Sequence, residues 1–368
     1  MALGDRLKFA RESIGYRQDQ VAKKSGIGIS SLSEFENNKR EPRFSQLSKL
    51  AEIYRRTIDF FLREDTVPEG LMLWRDKPEA LAAKEAEAQF RQYCEQFHRL
   101  EQLMGEVRFK SLPAPDVRTA DELNFDVVDT FARRIINELR LGDRPALSLQ
   151  KALEEDYCIK IFHLRFEGSA ISVKSEFFGA AILLNKSNRC KAWRRHYDLA
   201  HELFHLFTWD LFRKDLKDIP SDREEKLANA FASRLLLPTD SVKPKIDALL
   251  GPHKELNLQS LDVIAREFGV SLDALLWRLV YLYNVPSEKV PEYIEKSKQL
   301  SSEWPARNSD QPDELPERYC GLAIRALRAG RLSLLQFSKY MNISYRDAQR
   351  YLPEEEGASD EEISISVA

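Results

Sequence analysis

The chain has 368 residues, 43% of them hydrophobic, which suits two or three globular domains with ordinary cores. No run of 18 or more apolar residues occurs, and the charged start MALGDRLKFARESIG lacks the apolar stretch of a secretion signal. These features exclude a membrane-spanning helix and lead us to expect a cytoplasmic protein. The net charge of −3 is unevenly spread: residues 353–368 carry six carboxylates and no Lys or Arg, so the rest is close to +3.

Residues 4–63 read as short helices joined by tight turns, with Leu7, Ala10 and Ile14 at helical spacing and glycines at 26 and 28 ending a second helix. Two short helices around a glycine turn predict a helix-turn-helix domain over 1–65. Residues 66–119 read as a helical connector, dominated by PEALAAKEAEAQFRQYCEQFHRLEQLMGE with Pro78 at a first helical position. Helices and β-rich runs mix over 120–240: an amphipathic helix from Asn124, the runs DYCIKIFHLRF and AAILLN, then helices at 192–212 and 222–237. Residues 241–300 are a helical extension. The Pro-rich stretch 301–318 is a linker by composition, residues 301–352 form a helical region, and 353–368 are expected to be a disordered acidic tail.

The four cysteines, Cys94, Cys158, Cys190 and Cys320, are scattered. That argues against a disulfide framework and against a cysteine zinc site. Any metal must therefore use histidine and carboxylate. Three of the six histidines, His196, His201 and His205, lie within ten residues, in RRHYDLAHELFHLFTWD. His201, Glu202 and His205 spell H-E-x-x-H, and residues four apart share a helix face, which suits two imidazoles on one zinc ion. Glu202, beside them, is placed to take a proton from water as general base.

The third ligand is expected from REEKLANAFASRLLLP, where Glu225, Ala228 and Ala232 share one small-residue face that lets this helix approach the first. Glu224 faces about 100° away and is expected to play no part in holding the metal. The rival reading is a buried helix that happens to carry two histidines. FGAAILLN (178–185) reads either as an ordinary buried strand or as an edge strand whose Gly179, Ala180 and Ala181 pair with a substrate backbone.

YDLAHELFH followed by EEKLANAFASRLLLP resembles the ImmA/IrrE family of zinc metallopeptidases. The second motif is carried by Glu225, Ala228, Asn229, Phe231, Ala232, Leu235, Leu236 and Pro238. GAAILLN and FGVSLDALLWRL (268–279) fit as well, so the resemblance covers roughly 120–285. Phe204 departs from it, where the family carries a small residue, and would narrow the pocket. The resemblance implies one zinc per chain, with Mn2+ as a substitute in vitro. His201, His205 and Glu225 would be its ligands and Glu202 the catalytic residue. It also implies narrow proteolysis of a repressor protein, itself expected to contain a helix-turn-helix, that switches on a stress, phage-defence or mobile-element response.

Residues 6–62 are similar to Cro/lambda-repressor-type (XRE) helix-turn-helix domains, through Gln18, Val21, Ala22, Gly26, Leu32, Ser33, Glu36, Pro42, Leu47 and Ala51. That resemblance implies nucleic-acid contacts from Arg17, Gln18, Ser30, Ser31, Lys39, Arg40 and Arg43. The third helix carries no Lys or Arg before Lys39, which leaves single- or double-stranded DNA and a protein partner both open. The fold expected is multidomain and mainly α with a small β-sheet. An all-α helix-turn-helix domain precedes an α+β zincin-like metallopeptidase domain and a helical C-terminal region.

Two functions compete: a regulatory protease, and a transcriptional regulator whose metal domain is a non-catalytic sensor. Cys94, on the connector, is a candidate inhibitory metal ligand, the alternative being a plain buried thiol. Cys190 lies too far before His201, about 16 Å along a continuous helix, to serve. His196 reads as a structural histidine or a pocket residue, while His98, His163 and His253 show no partner pattern.

Overall fold

The computed structural model describes residues 2–62, 71–187, 191–213, 220–250, 256–301 and 311–352. Cys190, His253 and the acidic stretch 353–368 lie outside them, as does half of the expected linker. The chain forms two compact units, residues 1–95 with 108–314 and residues 96–107 with 315–368. Among the described residues no helix is long and apolar enough to cross a membrane.

The first unit begins with five helices: α1 (Leu3–Ser13), α2 (Gln18–Ser25), α3 (Ile29–Glu36), α4 (Phe44–Ile53) and α5 (Ile58–Leu62). Their apolar faces meet in a core of Leu7, Ile14, Val21, Leu32, Phe35, Leu47 and Tyr54. Gly26 ends α2 in the left-handed region at φ 70°, where a side chain would be strained. Buried Glu36 accepts two hydrogen bonds from Arg11, at 2.7 and 2.9 Å, and one from Gln18 at 2.9 Å. This charge-assisted bridge fastens α3 to α1 and α2.

Four strands follow, β1 (Met72–Arg75), β2 (Lys160–Leu164), β3 (Ala170–Ser175) and β4 (Gly179–Asn185), in the order β1-β3-β4-β2. β3 pairs antiparallel with β1 and β4, and β2 pairs parallel with β4. Residues 66–119, expected as a purely helical connector, thus supply an edge strand. They also supply the long helix α6 (Ala80–Met104), and Trp74 on β1 donates to Glu87 on α6 at 2.6 Å.

Strand alternation sends successive side chains to opposite faces of the sheet. Phe162 meets Phe90 and Tyr93 of α6 at centroid distances of 6.1 and 5.7 Å. Ile161, Ala170, Ile182 and Leu184 face the other way, into the main core. That core is closed by α7 (Phe125–Glu138), α8 (Pro145–Asp156), α9 (Ala192–Phe207), the short α10 (Trp209–Phe212) and α11 (Asp222–Leu236). α12 (Thr239–Leu249), α13 (Leu258–Glu267), α14 (Leu272–Tyr283) and α15 (Val290–Ser301) complete the unit.

α11 lies against α9 as its alanines require: Ala228 and Ala232 are fully buried between them. Around that contact Phe131, Phe204, Phe207 and Phe231 stack at centroid distances of 5.5 to 6.2 Å. Each such pair adds about 0.5–1.5 kcal/mol beyond its buried area. Phe204 belongs to this cluster and is fully buried, so it narrows no pocket.

In the second unit α16 (Glu317–Arg328), α17 (Leu334–Met341) and α18 (Tyr345–Ala348), with a 3-10 turn at Gln349–Tyr351, pack with residues 96–107. Tyr319 is its centre: its ring meets Phe97 at 5.4 Å and its hydroxyl donates to Gln96 at 3.1 Å. The fully buried Glu101 is paired with Arg318.

Candidate metal centre

α9 starts after Lys191 and runs beneath β3 and carries His201 and His205 one turn apart; α11, capped by Ser221, brings Glu225 to them in its first turn. The two Nε2 atoms are 3.2 Å apart. Glu225 reaches both, at 3.2 Å from His201 and 3.4 Å from His205. Donors each about 2.1 Å from a tetrahedral zinc stand about 3.4 Å from one another, so the three residues fit the ion. Among the described residues they form the one group of three His, Cys, Asp or Glu side chains that converges in this way.

Each ring is held by its other nitrogen. His201 Nδ1 lies 3.2 Å from Asn229 Oδ1, and His205 Nδ1 lies 2.8 Å from Glu224 Oε1. Such contacts fix the tautomer that leaves Nε2 free for a metal. Glu224, the weaker choice of ligand in the sequence, stands outside the converging group, yet it is fully buried, bonded to His205 and also to Arg213. Asn229, a turn beyond Glu225, and Glu224 were legible only as motif letters.

Glu202 points from α9 towards the sheet, where Ser172 donates to its Oε2 at 2.6 Å. Its Oε1 is buried with no hydrogen-bond partner. An orphaned buried carboxylate oxygen beside a ligand set costs stability and marks a place for a reacting group. Burial pushes the Glu202 carboxyl up to about 7, against the pull of His205 and Ser172. Ser172 lies on β3, a strand not read in the sequence.

The metal-free cluster shares protons unevenly. Burial pushes His201 down to about 3. Burial also opposes the charge on His205, but Glu224, Glu225 and Glu202 outweigh it and push it up to about 9. Burial acts to raise Glu225, yet its hydrogen bonds to both rings hold it well below the usual carboxylate range.

A ligand must be deprotonated, so zinc has to displace the His205 proton. Zinc titrated calorimetrically at pH 7, in buffers of different ionisation enthalpy, is expected to release about one proton per ion. Affinity should fall as pH drops below about 9, where His205 becomes protonated. A release of zero protons would mean that His205 is already neutral in the metal-free chain at pH 7.

Other expected site residues fall elsewhere. β4 is not an edge strand: from Ala181 onward it is paired on both sides, to β2 and β3. Gly179 and Ala180 pair with β3 alone, because β2 begins opposite Ala181. Gly179, at φ 83°, is closely approached, but by the ring of Phe109, 3.3 Å from where a Cβ would stand. Cys94 is fully buried on α6, among Lys160, Glu95 and Arg91, and burial pushes its thiol up. Lys160 shares a strand face with Phe162, so Cys94 is on the opposite side of the sheet from the histidines and cannot cap them. His196 Nδ1 lies 2.8 Å from the Gly269 carbonyl oxygen, a structural contact.

The expected nucleic-acid residues keep to α2, α3 and the segment before α4. Arg17 is exposed beside Asp19 at 3.2 Å, and Gln18 is engaged with Glu36. Ser30, Lys39 and Arg43 are exposed, Ser31 half-buried, and Arg40 lies 3.3 Å from Glu34.

A small five-helix domain with a glycine turn, ahead of a sheet-and-helix domain carrying His-Glu and Glu helices, defines a helix-turn-helix protein joined to a metallopeptidase-type fold. Comparison with known families agrees: residues 7–61 match the helix-turn-helix family, and residues 154–280 match the IrrE N-terminal-like domain of the peptidase M78 group. The chain thus carries a region similar to the helix-turn-helix family, followed by one similar to the IrrE N-terminal-like peptidase-family domain. Over 67 residues it is 42% identical to the HTH-type transcriptional regulator ImmR of Bacillus subtilis (strain 168), covering 18% of this chain. The match spans about half (53%) of that regulator. No solved structure matches the chain.

Proposed function

We propose that the protein is a zinc-dependent regulatory endopeptidase that cuts a partner repressor at a defined site, and that its helix-turn-helix domain directs it to DNA or to that partner. The observation that carries this reading is Glu202: an acid–base group, unpaired at Oε1 and buried beside three convergent ligands. His201, His205 and Glu225 would hold zinc, which when bound supplies Lewis-acid polarisation of water and of the scissile carbonyl. Glu202 accepts the proton of the attacking water and passes it to the leaving amide nitrogen. Ser172 holds the carboxylate by its other oxygen, which leaves Oε1 unengaged and able to take a proton. Glu224 and Asn229 keep both imidazoles in one orientation.

The likeness to a transcriptional regulator favours a second reading, in which the centre senses metal without cutting. A sensor has no need of an unpaired buried carboxylate, which costs stability. The deciding experiment incubates the zinc-loaded chain with a small helix-turn-helix repressor encoded beside it, with and without a chelator. A discrete fragment that the chelator suppresses is expected. Its absence, across zinc, manganese and added single- or double-stranded DNA, moves the reading to the sensor.

A further inference from the structure

One turn geometry, with a β-branched aliphatic residue directly after its left-handed position and an α-helix starting two residues later, occurs three times among the described residues. A left-handed residue stands at Gly26 (φ 70°), Gly269 (φ 67°) and Asn342 (φ 52°). Five positions before it a helix buries Val21, Ile264 or Phe337, and six positions after it the next helix buries Leu32, Leu275 or Ala348. The residue directly after it is Ile27, Val270 or Ile343, and the next, Gly28, Ser271 or Ser344, is the N-cap of the second helix. α17–α18 follows α2–α3 closely at a shift of 316: Val21 with Phe337, the small Ala22 with Ser338, Phe35 with Tyr351. The geometry of a helix-turn-helix is therefore repeated in the second unit, outside residues 7–61 and 154–280 that match known families.

The three second helices differ in what they show outward. α3 has no Lys or Arg at all, and α14 has only Arg278, which is buried and bonded to Leu237 and Thr239. α18 and its 3-10 continuation present Arg346, Gln349 and Arg350, all exposed, with Tyr345 beside them. Residues 315–352 hold seven Lys or Arg against two Asp or Glu. Arg318 and Arg325 are engaged internally with Glu101 and Glu106. Arg328, Arg331, Lys339, Arg346 and Arg350 are exposed, Arg350 with Asp347 3.5 Å away.

We propose that α17 and α18 form a helix-turn-helix that binds double-stranded DNA through the exposed face of residues 344–350. In such motifs the start of the second helix enters the major groove. Gln349 can read an adenine edge there, and the cations beside it, Arg346 and Arg350, meet phosphate. Nothing in this depends on proteolysis, so the two readings stand or fall separately.

The test uses the full chain and a short labelled duplex of random sequence, with anisotropy read between about 50 and 200 mM salt. The variant R346A/R350A is expected to bind about tenfold more weakly at the low end. The slope of log affinity against log salt should fall by about 1.8, two phosphate contacts' worth. R346K/R350K, which keeps the charges, should restore most of the slope. Both positions are exposed, so circular dichroism and zinc content should stay as in the unaltered chain. Unchanged affinity and slope in R346A/R350A would overturn the proposal, as would failure of the unaltered chain to bind duplex. Salt-insensitive capture of a protein instead would make the face a protein-docking surface.

Discussion

Glu202→Gln should still fold and hold zinc, yet cut its partner repressor about 10²–10⁴ times more slowly, the usual contribution of a positioned acid–base group. The substitution keeps the size of the side chain and leaves His201, His205 and Glu225 in place. The amide can still accept the Ser172 hydrogen bond, but it cannot take up the proton of the attacking water. Because the buried Oε1 lacks a partner in the unaltered chain, the amide should be tolerated there and can raise the melting temperature. The measurement pairs a time course of fragment release with elemental analysis of the same sample. Equal rates in both proteins would remove Glu202 from the chemistry.

Glu224→Ala should lower zinc affinity about 10–100-fold although the carboxylate is not itself one of the three converging groups. It is 1% exposed and joins His205 to Arg213, whose side chain is itself 4% exposed. Removing it frees the His205 ring and strands a buried guanidinium. Breaking a buried pair of this kind typically costs about 3–5 kcal/mol. Two readouts separate the effects: competition with a calibrated chelator for affinity, and denaturant unfolding of the metal-free chain for stability. Glu224→Gln, which can still accept from His205, should recover part of the affinity and less of the stability. Wild-type zinc affinity in Glu224→Ala would mean that Asn229 and packing alone orient the cluster.

The convergence of His201, His205 and Glu225 could be read from the sequence because it depends on one local rule, that residues four apart share a helix face, and on one spacing between two helices. What supports it could not. Glu224 looked irrelevant from its angle on the helix, since only the packing of α11 against α9 and Arg213 gives that angle a partner. Ser172 sits on a strand, AISVKS, whose mixed residues show no strong alternation. The four-residue strand MLWR is too short to announce itself before a long helix.

β4 was expected as a possible edge because its residues are apolar and its glycine permits close approach. Strand order is a tertiary property, and β2 takes the free side. The turn at Asn342 was hidden because asparagine, not glycine, adopts the left-handed conformation and the helix after it is brief. The helix-turn-helix at the N-terminus, with two glycines and longer helices, stood out.

β1 lies in the chain between the helix-turn-helix and α6, and the sheet borrows both. The catalytic-type fold is therefore not a cassette that begins at its first recognisable motif. A fragment starting near residue 120 would lack one strand and the cover over Phe162, Ile171, Val173 and Leu183, leaving an open strand and a sticky apolar face. Recombination that moved the histidine helices into a new gene without residues 71–104 would deliver an aggregating product. Residues 71–104 and the histidine helices are thus bound to be inherited together.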